Sequence, residues 1–131
     1  LPISALIALA LTMAGQVAVA GVTYVVWPVA ASAHPAGDVP GLFALADLMN
    51  LTYNSAPSLH VTLSLTIAFV MARWWAFAWA IAIALSSLLT HQHYLIDVVS
   101  GVALALIGLC AYPAINRRVK KSAMSRRISG M

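Results

Sequence analysis

Charge is what this chain has least of. Of its 131 residues only 8% are Asp, Glu, Lys or Arg, three of them acidic, while 63% are hydrophobic. Ordinary soluble domains keep about a quarter of their residues charged, so this composition excludes a typical water-soluble globule. No Lys or Arg occurs before Arg73, so the opening run is not expected to be a secretory signal peptide, which puts positive charge ahead of a short apolar stretch. Leu1-Pro2 opens directly into an apolar run, and without an initiator Met the chain is expected to be a fragment or a processed form. The lone cysteine, Cys110, has no partner for an intramolecular disulfide and reads as a small apolar helix residue. There is no internal repeat and no low-complexity segment, and the one compositional break follows Ile115.

What is present is a series of long apolar runs, with a mean hydropathy of +0.94. Leu1 to Pro28 holds no charged residue and is long enough to cross a hydrocarbon core of roughly 30 Å. Ser58 to Ala72 is shorter and reaches across with a helical lead-in, Trp74 to Thr90 follows almost at once, and Leu95 to Ile115 makes the last run. The expectation is an all-α, polytopic transmembrane helical bundle of about four helices, the middle two joined by a very tight turn. Residues 1–115 form the membrane domain and residues 116–131 a basic tail.

All seven Lys and Arg residues lie either at Arg73 or in the tail, at Arg117, Arg118, Lys120, Lys121, Arg126 and Arg127. Positive charge marks the cytoplasmic side. Four crossings under that constraint place the tail inside and every His and Asp on the outer face, the periplasmic, extracellular or lumenal side of a plasma or inner membrane. Beside a membrane helix, a basic tail serves as a topology signal and an anionic-lipid contact, so membrane lipids and not nucleic acid are the expected partners. Trp74, Trp75 and Trp79 fit an inner interfacial belt. Residues Val29 to Pro57 carry Pro28-adjacent helix breakers and read as a loop with a short surface helix, in which His34, Asp38 and Asp47 are ordinary polar residues.

Three of the four histidines and one of the three acids fall in two short segments, Pro57-Ser58-Leu59-His60 and His91-Gln92-His93-Tyr94-Leu95-Ile96-Asp97. Ionisable residues beside membrane spans are costly and are functional candidates by default. Tyr53-Asn54-Ser55-Ala56-Pro57 is a helix-start signal, with Pro57 tolerated in the first turn, so Ser58 and His60 are expected at a helix N-terminus. Unpaired backbone amides and the helix dipole favour an anion there. His93 and Asp97 are four apart; on a helix they share a face, where the carboxylate holds one imidazole nitrogen and the other meets substrate. His91, two residues away from His93, faces elsewhere and reads first as interfacial. Gly101 extends the face of Asp97 and lets a neighbouring helix approach closely.

Pro57-Ser58-Leu59-His60 and His93-x3-Asp97 resemble the second and third signature motifs of the type-2 phosphatidic acid phosphatase superfamily, written P-S-G-H and S-R-x5-H-x3-D. The Leu59 form and the aromatic Tyr94 after His93 are most similar to the inositol phosphorylceramide synthase-like (inositolphosphotransferase) branch, and Tyr24-Val25-Val26-Trp27-Pro28 corresponds to a Tyr-x-x-x-Pro stretch of that branch. The resemblance spans roughly residues 20 to 110. It implies a six-helix fold of which these runs are the last four, and a cofactor-free, metal-free lipid phosphatase or lipid phosphotransferase. His93 would attack phosphorus to form a phosphohistidine, Asp97 would orient it, and His60 would protonate the leaving oxygen and then activate water or an alcohol. Ser58 and Leu59, with its amide, would hold the phosphoryl oxygens, and His91 is a further phosphate-binding candidate.

Two departures stand beside these matches. The superfamily's first motif, K-x6-R-P, has no counterpart, and the Arg of the third motif is replaced by Ser87. Phosphoryl transfer relies on positive groups around the equatorial oxygens, so the losses favour a divergent phosphotransferase-like member and leave two alternatives. One is a non-catalytic membrane scaffold that retains the fold. The other is a metal-dependent membrane hydrolase using His60, His91, His93 and Asp97 as ligands.

Overall fold

The computed structural model describes residues 1–28, 56–89 and 94–129. These form four α-helices: α1 (Ile3–Val26), α2 (Leu59–Met71), α3 (Trp74–Leu89) and α4 (Leu95–Ser129). No strand occurs among the described residues. The expected loop of residues 29–55, with its surface helix and His34, Asp38 and Asp47, lies outside them.

Helices α1 and α4 are long and apolar enough to cross a membrane. At about 1.5 Å per residue, the 24 residues of α1 span roughly 36 Å, while the 13 of α2 and 16 of α3 span only about 20 and 24 Å. Two of the four expected crossings are therefore met by helix length, and α2 and α3 fall short of a core of roughly 30 Å. Ile3, Leu11, Val22, Trp79, Ile81, Val99 and Ile107 are among many large apolar side chains turned outward. Apolar surface on that scale is foreign to soluble monomers and is what helices solvated by lipid present.

The buried side chains are small. Ala5, Ala8, Ala20, Ala68, Ala76, Ala80 and Ala105 are at most 5% exposed, because lipid-solvated helices associate through close packing and not through exclusion of water. Among the described residues, helix α1 packs on α4 and α2, α2 packs on α4, and α3 packs on α2. The tight turn between α2 and α3 is present: Ala72 takes the left-handed conformation at φ 50°, its N–H donating to the Ala68 carbonyl, and α3 starts at Trp74. Phe69 and Phe77 close the hairpin edge to face, with ring centroids 5.0 Å apart.

Two expected boundaries move. Pro57 precedes the N-cap residue Ser58, so it lies before α2 and not in its first turn; the ladder begins where the Thr62 N–H donates to the Ser58 carbonyl at 3.0 Å. At the other end, helix continues past Ile115 through the basic tail. Ala, Met, Lys and Arg are strong helix formers, and cations near a helix C-terminus offset its dipole. Pro113 sits inside α4, and its carbonyl accepts a bond from Arg117 Nε at 3.3 Å.

Candidate phosphate site at the α2–α4 junction

The N-terminus of α2 meets the first turn of α4 backbone to backbone. The Ser58 N–H donates to the Asp97 carbonyl at 3.0 Å, joining residues that lie on different helices and belong to different motifs. Gly101 permits the approach. A Cβ there would stand 2.7 Å from the Ser58 carbonyl oxygen and 3.3 Å from Val61 Cβ, so the close-packing role expected of this glycine is realised against Ser58 itself. One turn further, the Thr62 hydroxyl lies 2.9 Å from both the Ser58 and the Gly101 carbonyl oxygens and shares its proton between them.

Asp97 is fully buried. Its Oδ2 accepts the N–H of Tyr94 at 2.8 Å, a capping contact in which a first-turn carboxylate satisfies an orphan donor just ahead of the helix. Helix α4 therefore begins at Leu95 in part because Asp97 reaches back to Tyr94. His91 and His93, the expected phosphate ligand and nucleophile, lie outside the described residues, so the shared helical face expected of His93 and Asp97 is not among the described contacts.

Ser58 holds the N-cap position of α2, yet its side chain caps nothing. Its Oγ is buried and has no hydrogen-bond partner among the described residues. A buried hydroxyl without a partner costs about 1–3 kcal/mol and calls for an explanation. A ligand oxygen at the amide-rich start of α2 supplies one. Leu59 follows as the first helical residue, its side chain half-buried.

His60 lies in the first turn of α2 and is exposed. Two residues on from Ser58, it is turned about 200° around the helix, and it lines a groove between α2 and α3. Ser58 and Asp97 are thus brought together on one side of α2, while His60 borders the other. Ser87, at the position of the expected arginine, is buried and donates to the Ala84 carbonyl at 2.9 Å, so it makes a local helix bond. Among the described residues, no three His, Cys, Asp or Glu side chains gather as metal ligands.

Two features of this region escaped the sequence reading. The Tyr24 hydroxyl donates to the Pro57 carbonyl at 2.7 Å, which ties α1 to the residue directly before Ser58. Tyr24 was visible only as part of a Tyr-x-x-x-Pro stretch, and nothing in that spacing names its partner. The second is a polar column below Ser58. Gln16, 3% exposed within an apolar helix, donates through Nε2 to Thr66 Oγ1 at 2.8 Å and to the Leu104 carbonyl at 3.3 Å, and the Thr66 hydroxyl donates to the Thr62 carbonyl at 2.8 Å. Gln16 lies across Gly108, where a Cβ would overlap its amide. The spacing of Ser58, Thr62 and Thr66 at every fourth residue was the available signal for this stripe.

Compared with protein families, curated proteins and solved structures, the chain matches no family model, no curated protein and no solved structure. The functional reading therefore stands on the residues and on the geometry of this junction.

Proposed function

We propose that this chain is part of a polytopic membrane enzyme that hydrolyses or transfers a lipid phosphate ester through a phosphohistidine, a divergent relative of the type-2 phosphatidic acid phosphatases. In this reading all four helices cross the membrane, α2 and α3 by means of their flanking segments and a tilted or thinned path. Arg73 and the basic end of α4 lie on the cytoplasmic side, and the α2–α4 junction opens on the opposite face.

The observation that carries the reading is the meeting of Ser58 and Asp97. Two segments far apart in the chain lie in direct backbone contact, with a buried Ser58 hydroxyl at a helix N-terminus that has no partner among the described residues. His93 attacks phosphorus, with Asp97 four residues later orienting its ring. The Ser58 hydroxyl and the first amides of α2 receive the phosphoryl oxygens, and His60 serves first as acid and then as base. Leu59 contributes its amide, and His91 adds positive charge near the phosphate when protonated.

One observation favours a second reading, a membrane scaffold without turnover. No Lys or Arg precedes Arg73, and Ser87 spends its hydroxyl on its own helix, so the cations that usually neutralise a transferring phosphoryl group must come from elsewhere.

Rapid-quench labelling separates the two. The purified, detergent-solubilised protein is incubated with phosphatidate or a phosphodiester lipid carrying radioactive phosphate. The enzyme reading expects acid-labile, base-stable label that disappears in His93→Ala, a variant that remains folded and membrane-inserted. Absence of label, with neither lipid consumed, rejects the enzyme in favour of the scaffold.

A further inference from the structure

The greatest concentration of charge in the chain lies at the opposite end of α4 from Ser58 and Asp97. Six of the seven Lys and Arg residues follow Asn116, and no Asp or Glu follows Asp97. The structure makes this basic stretch part of α4, a single helix of 35 residues from Leu95 to Ser129. At about 1.5 Å per residue, Leu95 to Ile115 covers about 32 Å, the thickness of a hydrocarbon core, and the rest projects about 21 Å further. A continuous helix fixes the depth at which each cation stands, which a loose tail does not. Arg117, Arg118, Lys120 and Lys121 come about 3–9 Å past Ile115, at the level of the lipid headgroups, whose layer is about 5–8 Å deep. Arg126 and Arg127 come about 16–18 Å past it, clear of the headgroups by roughly the 8 Å over which physiological salt screens a charge.

Burial gives the first four cations a common side. Tyr112, Ile115, Asn116 and Val119 are half-buried, and the Tyr112 hydroxyl reaches the Ala5 carbonyl of α1 at 3.5 Å, so that face of α4 is turned to the bundle. Arg117, Arg118, Lys120 and Lys121 are exposed. With 3.6 residues per turn they fall within an arc of about 160°, centred opposite the half-buried face. Cys110 and Ala114, both exposed, continue the same side into the apolar part of the helix. Arg117 is also aimed. Its Nε donates to the Pro113 carbonyl at 3.3 Å, which holds the side chain back toward the membrane and leaves its terminal nitrogens to other acceptors.

We propose that Arg117, Arg118, Lys120 and Lys121 form a binding site for an anionic phospholipid of the adjoining leaflet, with its phosphate on the cations and the ester end of its chains against Ala114 and Cys110. Charge and depth together select this occupant. A nucleic acid or an acidic protein arriving from water reaches Arg126 and Arg127 first, whereas a phospholipid phosphate is confined to the layer in which the other four stand. Guanidinium groups offer paired donors to phosphate oxygens, and each cation close to an anionic leaflet raises affinity roughly fivefold. The assignment needs α4 to cross the membrane and nothing more, so it goes beyond the reading of the α2–α4 junction and stands or falls separately from it.

Native mass spectrometry tests it on the full chain released from nanodiscs of equal parts phosphatidylglycerol and phosphatidylcholine. Phosphatidylglycerol is expected to be retained preferentially. Arg117→Gln, Arg118→Gln, Lys120→Gln and Lys121→Gln together should lower that preference at least tenfold, while Arg126→Gln with Arg127→Gln leaves it within twofold. A phosphatidylglycerol with a diazirine near the ester end of its chain, irradiated with the unsubstituted protein, is expected to label Ala114 and Cys110, a reading that holds even where the fourfold variant fails to fold. Equal retention of the two lipids, an equal loss in the fourfold and double variants, or adducts away from that side of α4 overturns the site. A short single-stranded DNA that binds while neither lipid is preferred would make nucleic acid the partner instead.

Discussion

Toward α4, helix α2 presents Ser58, Thr62 and Val61, packed so closely that a glycine is required opposite them; toward α3, the same helix presents Leu65, Ala68 and Phe69 to Ala76, Phe77 and Ala80, with an open groove alongside. The first interface is held by the Thr62 hydroxyl on the Gly101 carbonyl at 2.9 Å and by the Ser58 N–H on the Asp97 carbonyl at 3.0 Å. The second carries ring and methyl contacts, among them Phe69 on Phe77. Polar contacts between membrane helices are directional and fix a register, although each contributes only about 0.6 kcal/mol on average. Apolar contacts in lipid have no such preference and tolerate a space that another hydrocarbon can fill.

The sharpest way to break this contrast is at Asp97. Asn keeps the shape that caps Tyr94 but removes the charge that the proposed mechanism uses to orient His93, so Asp97→Asn should lower kcat on the order of a hundredfold or more while the helical circular dichroism and the detergent extraction profile stay unchanged. Kinetics equal to the parent would remove Asp97 from the site. Next in size is Gly101→Val. Its side chain would meet the Ser58 carbonyl, and the overpacking is expected to cost about 1–3 kcal/mol, read as a lower midpoint of unfolding in mixed micelles. An unshifted midpoint would mean that α2 and α4 do not approach as described.

Gln16→Leu tests the polar column. Its loss removes the amide's bonds to Thr66 and to the Leu104 carbonyl and leaves the space over Gly108 to a differently shaped side chain, with an expected loss of about 1–2 kcal/mol in the same assay. The companion Leu65→Ala, on the α3 side, distinguishes the faces, since it should affect the α2–α3 hairpin without disturbing Thr66. The smallest effect is expected from Tyr24→Phe. One bond to the Pro57 carbonyl is lost, about 0.5–1.5 kcal/mol, and because Pro57 adjoins Ser58 the change should appear as weaker retention of phosphate lipid as well as a small stability loss. A stability loss with unaltered lipid retention would make Tyr24 a tie between helices only.

Much of the frame was legible in the chain. The Leu59–Met71, Trp74–Leu89 and Leu95 boundaries lie within a residue or two of the apolar runs, because a run of hydrophobic residues closed by Arg73 or opened after Pro57 has few ways to fold in lipid. The extension of α4 through Ser129 was hidden by reading a change in composition as a change in structure. Arg117 to Arg127 alter the solvent the helix prefers, not the backbone's preference for helix. The lengths of α2 and α3 were likewise uninformative about crossing, since helix termini depend on where a cap is found.

At the candidate site, sequence determined which residue types were available: Ser58 and His60 at a helix start, Asp97 in the first turn of another helix, and a glycine four residues after it. Those follow from local rules of capping and periodicity, which act over one or two turns. Tertiary structure decided the rest. It placed Ser58 against Asp97 across 39 positions of chain, sent Tyr24 to Pro57 across 33, and turned His60 toward a groove instead of toward Gly101. The physical reason is that a membrane bundle is assembled by close contact of small residues and a few directional hydrogen bonds. Which glycine receives which hydroxyl is a property of the packed helices and of none of them alone.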